Sequence, residues 1–166
     1  FAADVPSSSL VERLEKSFLE SGGDLPKLYR TLIDSPEMWL AKQAKFKSPW
    51  DWVISSLRAL NVRELPNNRQ SANMLAQMGQ PIWKPGSPAG FSDMTENWAG
   101  GAALMRRVEI ASRIAERSAN RVDARTLAPR ILSAQLSALT AESIARAESP
   151  SQGLALLLLS PDFLRR

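Results

Sequence analysis

Ser48-Pro49-Trp50-Asp51 reads as the start of a helix, and the chain repeats its pattern at Ser35-Pro36-Glu37 and Ser160-Pro161-Asp162. In each, the serine oxygen can accept from the first free N–H groups, and proline takes the first helical position, where its missing N–H costs nothing. The acid that follows meets the positive end of the helix dipole. Three such starts predict an all-α chain.

Between them the apolar spacing is helical. A first helix is expected over about Ser8 to Ser21, with Leu10, Leu14 and Phe18 recurring every fourth residue, joined by Val11 and Leu19, and with Gly22-Gly23 as its stop. Asp24 caps a short second helix that turns Leu25, Leu28, Leu32 and Ile33 inward. A third starts at Pro36 and carries Met38, Trp39 and Leu40. A fourth, from Pro49 to about Asn61, buries Trp50, Val53, Ile54, Leu57 and Leu60. A fifth near Gln70 to Met78 presents Met74, Leu75 and Met78. A long helix from about Glu96 to Ala119 places Leu104, Val108, Ala111 and Ala115 on one side. Gly100-Gly101 inside it predicts a kink or a close helix approach. Ala128 to about Leu139, Ala141 to Ala147 with Thr140 as cap, and Gln152 to Leu159 follow, with a last turn from Pro161. The expected architecture is an irregular multi-helical domain over residues 1–166, of about seven to nine helices.

Leu28 to Trp39 echoes Gly153 to Leu164: each is an apolar helix running into Ser-Pro-acid. Duplication and convergent use of a good cap both explain it, and one echo does not make a solenoid.

The segment that resists a helical reading is Gly79 to Asn97, GQPIWKPGSPAGFSDMTEN, with three glycines, three prolines and the aromatics Trp83 and Phe91. Long connections of this kind in a compact domain are usually functional or mobile. Its aromatics are expected to tack it to the body, with Trp98 just beyond.

Composition excludes more than it assigns. The chain has no Cys and no His, which removes thiol and Ser-His-Asp catalysis, zinc-thiolate sites and the commonest general base within this segment. Its longest apolar run, Leu154 to Leu159, falls far short of the roughly 20 residues of a membrane span. The net charge of +4 lies wholly in residues 99–166, where ten Arg face six Asp/Glu. Such a half could meet nucleic acid or anionic lipid. However, Glu109, Arg113 and Glu116 neutralise one helical face, so no nucleic-acid partner is expected. The lysines Lys42, Lys45 and Lys47 read as a solvated linker. Trp50 and Trp52, two apart on a helix, point to different sides. One of them therefore packs beneath that linker, or against upstream chain or a partner.

The run from Gly79 to Ala115 resembles the stretch "gQplf-PP-p-GWp---W-----L--R---A--la" of a bacterial family catalogued as "domain of unknown function 1800". Phe1-Ala2-Ala3-Asp4-Val5-Pro6, Ser21-Gly22-Gly23-Asp24-Leu25 and Ser35-Pro36-Glu37-Met38-Trp39 look like its "Fv-d-pp", "sggdl" and "SPeFW". Lys47-Ser48-Pro49 with Trp52-Val53, and Leu158-Leu159-Ser160-Pro161-Asp162-Phe163, look like its "K-P-eFvvsalRalg" and closing "ll-SPeF". The resemblance runs through essentially the whole chain in order. It implies the C-terminal part of a longer protein in a periplasmic or exported setting. One departure is Gly90-Phe91 in place of Gly-Trp, which keeps the ring and loses the indole donor. The family has no established activity, so the resemblance carries over no catalytic residue.

The candidate ligand-binding constellation is Trp83, Phe91, Asp93, Glu96, Asn97, Trp98 and Arg106. Asp93 and Glu96 could act as an acid/base pair or as oxygen ligands for Ca²⁺ or Mg²⁺, and carboxylates among aromatics would suit a sugar or a cationic ligand. The plainer reading is a helix start, with Ser92 or Asp93 as cap and Trp98 as an anchor. No cofactor and no metal site is expected. The function expected is a structural or interaction module. Its partners would be the upstream part of the same chain and another protein. The alternative is an enzyme or ligand site shared between the 79–98 loop and upstream residues.

Overall fold

In the computed structural model, the described residues are 3–39, 43–62 and 67–166. Phe1, Ala2, Leu40 and Lys42, invoked above, lie outside them. Among the described residues there are nine α-helices, two short 3-10 turns and no strand, so the chain is all-α. They form two compact units, Phe1–Lys45 and Phe46–Arg166.

The first unit is a helical hairpin followed by a turn. α1 (Ser8–Glu20) starts where Ser7 accepts from the Leu10 amide. It stops at Gly22 and Gly23, both at positive φ, with the Gly23 amide donating back to Phe18 O at 2.9 Å. α2 (Leu25–Ile33) is capped by Asp24 as read. Its inward face is narrower than expected, however. Leu28 and Leu32 are half-buried against α1, whereas Leu25 and Ile33 face out, because positions 25, 29 and 33 share a stripe of their own. Ser35-Pro36-Glu37 opens a 3-10 turn, Pro36–Trp39, and not a longer helix. The Ser35 hydroxyl donates back to Thr31 O at 2.6 Å and accepts from Arg13.

In the second unit, α3 (Pro49–Ala59) is capped by Ser48 as read. Its buried face is Trp52, Val53, Ser56 and Leu60, while Trp50 is exposed. The Trp52 indole donates to Leu158 O at 2.9 Å, tying α3 to α9. α4 (Asn68–Gln77) buries Leu75 and ends at buried Met78. The long helix is interrupted: α5 (Thr95–Trp98) ends at Ala99, and Gly100, extended, begins α6 (Gly101–Ser118). Nothing lies within 4 Å of a Cβ built on either glycine, so the pair marks a break and not a close approach. α6 buries Arg107, Ile110, Ala111 and Ala115, and Val108 faces out.

α7 (Ala124–Leu132) is capped by Asp123, and a 3-10 turn (Ser133–Gln135) separates it from α8 (Ala138–Ala145), capped by Ser137 and not by Thr140. α9 (Pro150–Leu159) is apolar on nearly all sides and packs on α6, α7 and α8, which makes it the axis of this unit. Ser160-Pro161-Asp162 forms a turn, not a helix. Ser160 Oγ accepts from the Phe163 amide, and Asp162 reaches Ser137 at the start of α8. The unit closes where Phe46 bridges Arg165 and the Lys47 amide donates to Leu164 O at 2.8 Å.

Candidate functional site

The loop singled out in the sequence is a chain of turns on the second unit. Phe91 and Trp98 meet with centroids 6.3 Å apart, and the Trp98 indole donates to Ser92 O at 2.8 Å, so these two aromatics do anchor the loop. Asn97 accepts from Ser92 Oγ, and Ser92 Oγ accepts from the Met94 amide. Asp93, Glu96 and Arg106 are all exposed, and Arg106 pairs with Glu109, one turn along α6. Trp83 stands 93% exposed with φ 56°, a left-handed conformation that non-glycine residues rarely adopt. Phe91, Asn97 and Trp98 are thus brought together through Ser92, while Trp83 and Arg106 each have other surroundings.

Sequence reasoning missed the arginine that the fold buries. Arg107 is fully enclosed; its guanidinium carbon lies 4.8 Å from the Phe46 ring centroid and 5.6 Å from that of Trp52. Nη2 donates to Lys47 O at 2.7 Å, and Nε and Nη1 have no hydrogen-bond partner among the described residues. Lys47 Nζ donates to Phe163 O at 2.7 Å, 4.2 Å from that ring's centroid. Burial lowers the Lys47 pKa to about 8 and that of Arg107 to about 10; Asp51, paired with Arg166 at 3.4 Å, opposes both shifts. The signal was present. In the pattern of Trp, five residues, Leu, two residues, Arg, counting from Trp98 and Leu104 arrives at Arg107, one position beyond Arg106.

The first unit carries a row of exposed apolar side chains. Leu25, Tyr29 and Ile33 form a ridge along α2, 48%, 55% and 52% exposed, and Trp39 extends it at 72%. The Trp39 indole donates to Ile33 O at 2.6 Å, which fixes the aromatic at the end of the ridge. Behind it, Arg13 on α1 grips Glu37 through both guanidinium nitrogens at 2.9 and 3.0 Å and also reaches Ser35, while Ser9 adds a bond to Glu37. These bonds, Arg13's first, hold the Glu37 carboxyl at a pKa of about 2. The ridge is therefore presented on a braced hairpin.

Residues 1–165 match the model of a protein family described as "Protein of unknown function (DUF1800)". The chain belongs to the DUF1800 family. No curated protein and no solved structure matches it. For this DUF1800 chain, no helix among the described residues is long and apolar enough to cross a membrane.

Proposed function

We propose that this chain is an interaction module whose contact surface is the Leu25-Tyr29-Ile33-Trp39 ridge, and that its occupant is an amphipathic helix of another protein. The carrying observation is the ridge itself: four large apolar side chains, each about half exposed or more, in register on one braced hairpin. Isolated exposed apolar residues are ordinary on protein surfaces, but a contiguous set marks a contact site. The i, i+4, i+8 spacing of Leu25, Tyr29 and Ile33 is that of a row that interdigitates with a second helix.

Charge favours a foreign partner over a second copy. An antiparallel pairing of two α2 helices centred on Tyr29 sets Leu25 against Ile33, and with it Asp24 against Asp34, a like-charge clash. Arg30, exposed beside the ridge, instead suits a partner helix with a leucine stripe and an acidic rim.

The test is a titration of the full chain with a synthetic helix of leucine stripe and glutamate rim, followed by Trp fluorescence, beside a lysine-rimmed version. Saturable binding of the acidic helix, lost in Tyr29→Asp and Ile33→Asp without a change in melting temperature, is expected. Equal binding of both helices, no binding, or self-association that Ile33→Asp abolishes would overturn the reading.

A further inference from the structure

A cleft of about 570 Å³ lies in the second unit between the C-terminal end of α3, the α6–α7 connection and α7. It is lined by Arg58, Arg121 and Arg130 against a single acid, Asp123, with an apolar wall that includes Val122 and Ile131. Asp123 accepts from the Arg125 amide at 3.0 Å as the cap of α7, so this carboxylate is committed to the helix start. All three arginines are exposed, and none of their side chains has a hydrogen-bond or ion-pair partner among the described residues.

Elsewhere in this unit, Arg106 pairs with Glu109, Arg113 with Glu109 O, Arg125 with Ala145 O and Arg146 with Glu142, while Arg69 and Arg117 are exposed without a side-chain partner among the described residues but do not line this cleft. Arg58 and Arg130 stand in the last turns of α3 and α7, where a cation complements the helix dipole. That effect explains a positive charge at each helix end. It does not explain three unengaged guanidiniums on one concave surface, with a net charge of two over Asp123.

We propose that this cleft binds a phosphomonoester, its dianionic head held by Arg58, Arg121 and Arg130 and its organic part lying on Val122 and Ile131. A dianion matches the excess charge of the lining. Guanidinium forks also match phosphate oxygens in geometry, where a lysine offers a point charge. The apolar wall makes an ester fit better than the bare ion, and the volume is that of a small-molecule site. The three arginines come from α3, the α6–α7 connection and α7, so ligand binding would also tie α3 to α7.

The experiment is calorimetric titration of the full chain with phenyl phosphate, inorganic phosphate and benzoate at low ionic strength. Phenyl phosphate is expected to bind at least tenfold more tightly than either of the others, and to weaken as salt is raised. The triple variant Arg58→Ala, Arg121→Ala, Arg130→Ala should lose at least tenfold in affinity. Because all three side chains are exposed and unengaged, its melting temperature should stay close to that of the parent. The control Arg113→Ala, Arg117→Ala, Arg146→Ala removes the same charge elsewhere and should retain binding. Vesicles containing phosphatidic acid separate the two sources of the ligand: co-sedimentation abolished by the cleft variant assigns the monoester to a lipid headgroup, and its absence assigns it to a soluble ester. Failure of phenyl phosphate to bind, or equal losses in the cleft and control variants, would overturn the proposal.

Discussion

Arg107 Nη2 donates to the carbonyl oxygen of Lys47 at 2.7 Å, across 60 residues of sequence. This bond joins α6 to the segment that leads into α3, and the arginine stem and guanidinium fill the space beside Phe46 and Trp52. A buried cation with two nitrogens unpartnered among the described residues contributes little through its charge, since desolvation offsets the attraction. Its stem contributes as packing. Arg107→Met, which keeps the stem, is therefore expected to cost about 1 kcal/mol or less, and Arg107→Ala about 3 kcal/mol or more through the cavity. Urea unfolding of both variants measures the gap. Equal losses would mean that the charge, and not the packing, holds this corner.

Lys47 predicts a stability that rises in alkali. Burial lowers its pKa from 10.5 to about 8, so below pH 8 the folded and unfolded states are both protonated and the cost of burying the charge is fully present. Between about 8 and 10.5 the folded protein sheds the proton while the unfolded chain keeps it, and stability rises through that window. The gain is of order 2–3 kcal/mol. Chemical unfolding at pH 7.5 and pH 10 should show it in the parent and not in Lys47→Met. A parent curve that falls as steeply as the variant's would refute the assignment.

The Glu37 carboxyl runs the opposite way. Its pKa of about 2 lies below the ordinary 4.5, so the bracing of the hairpin is intact above pH 4.5 and is lost as pH falls toward 2. Arg13→Ala removes the main cause, and the Glu37 carboxyl should then titrate higher, moving toward its ordinary value while the backbone and Ser9 bonds still hold it down. NMR of the carboxyl carbon in parent and variant checks this. An unchanged midpoint would transfer the effect to Ser9 and the backbone.

Local chemistry explains which parts of the fold were legible in the sequence. Ser48 behaves as a cap because its oxygen faces the Asp51 amide with nothing else competing. Ser35 and Ser160 share its Ser-Pro-acid pattern, yet each donates its hydroxyl back to a carbonyl of the preceding helix, Thr31 O and Leu157 O, so the chain turns instead of restarting as an α-helix. The echo between the two segments is thus one of turn geometry. Ser149-Pro150 has no acid behind it and does start a helix, with Ser149 accepting from the Gln152 amide. The serine and proline matter there, and the acid does not.

What stayed hidden depended on which helical stripe meets a neighbour. Positions 28 and 32 of α2 are inward and 25 and 33 outward, although all four are aliphatic, so composition could not separate core from ridge. On α6 the same ambiguity concealed Arg107 among buried alanines, because polarity argues for exposure. The arginine cleft draws on residues 58–61 and 121–131, which no linear reading brings together. In the loop, Phe91 and Trp98 were legible as anchors, whereas the exposure of Trp83 was not.

Trp83 supplies a prediction in which burial plays almost no part. It is the third residue of a turn in which the Lys84 amide faces Pro81 O at 3.3 Å, and its φ of 56° is strained for a residue with a Cβ. At 93% exposure the ring offers no compensating contact. Asparagine tolerates the left-handed region without the added unfolded-chain entropy of glycine. Trp83→Asn is therefore expected to stabilise the chain by about 0.5–1 kcal/mol, and Trp83→Gly by less, because its relief of strain is offset by the flexibility glycine gives the unfolded state. Thermal melts of the two variants against the parent decide the order. A loss of stability in Trp83→Asn would show that the indole is held by contacts in the native protein, and would make this exposed aromatic the next site to probe for a partner.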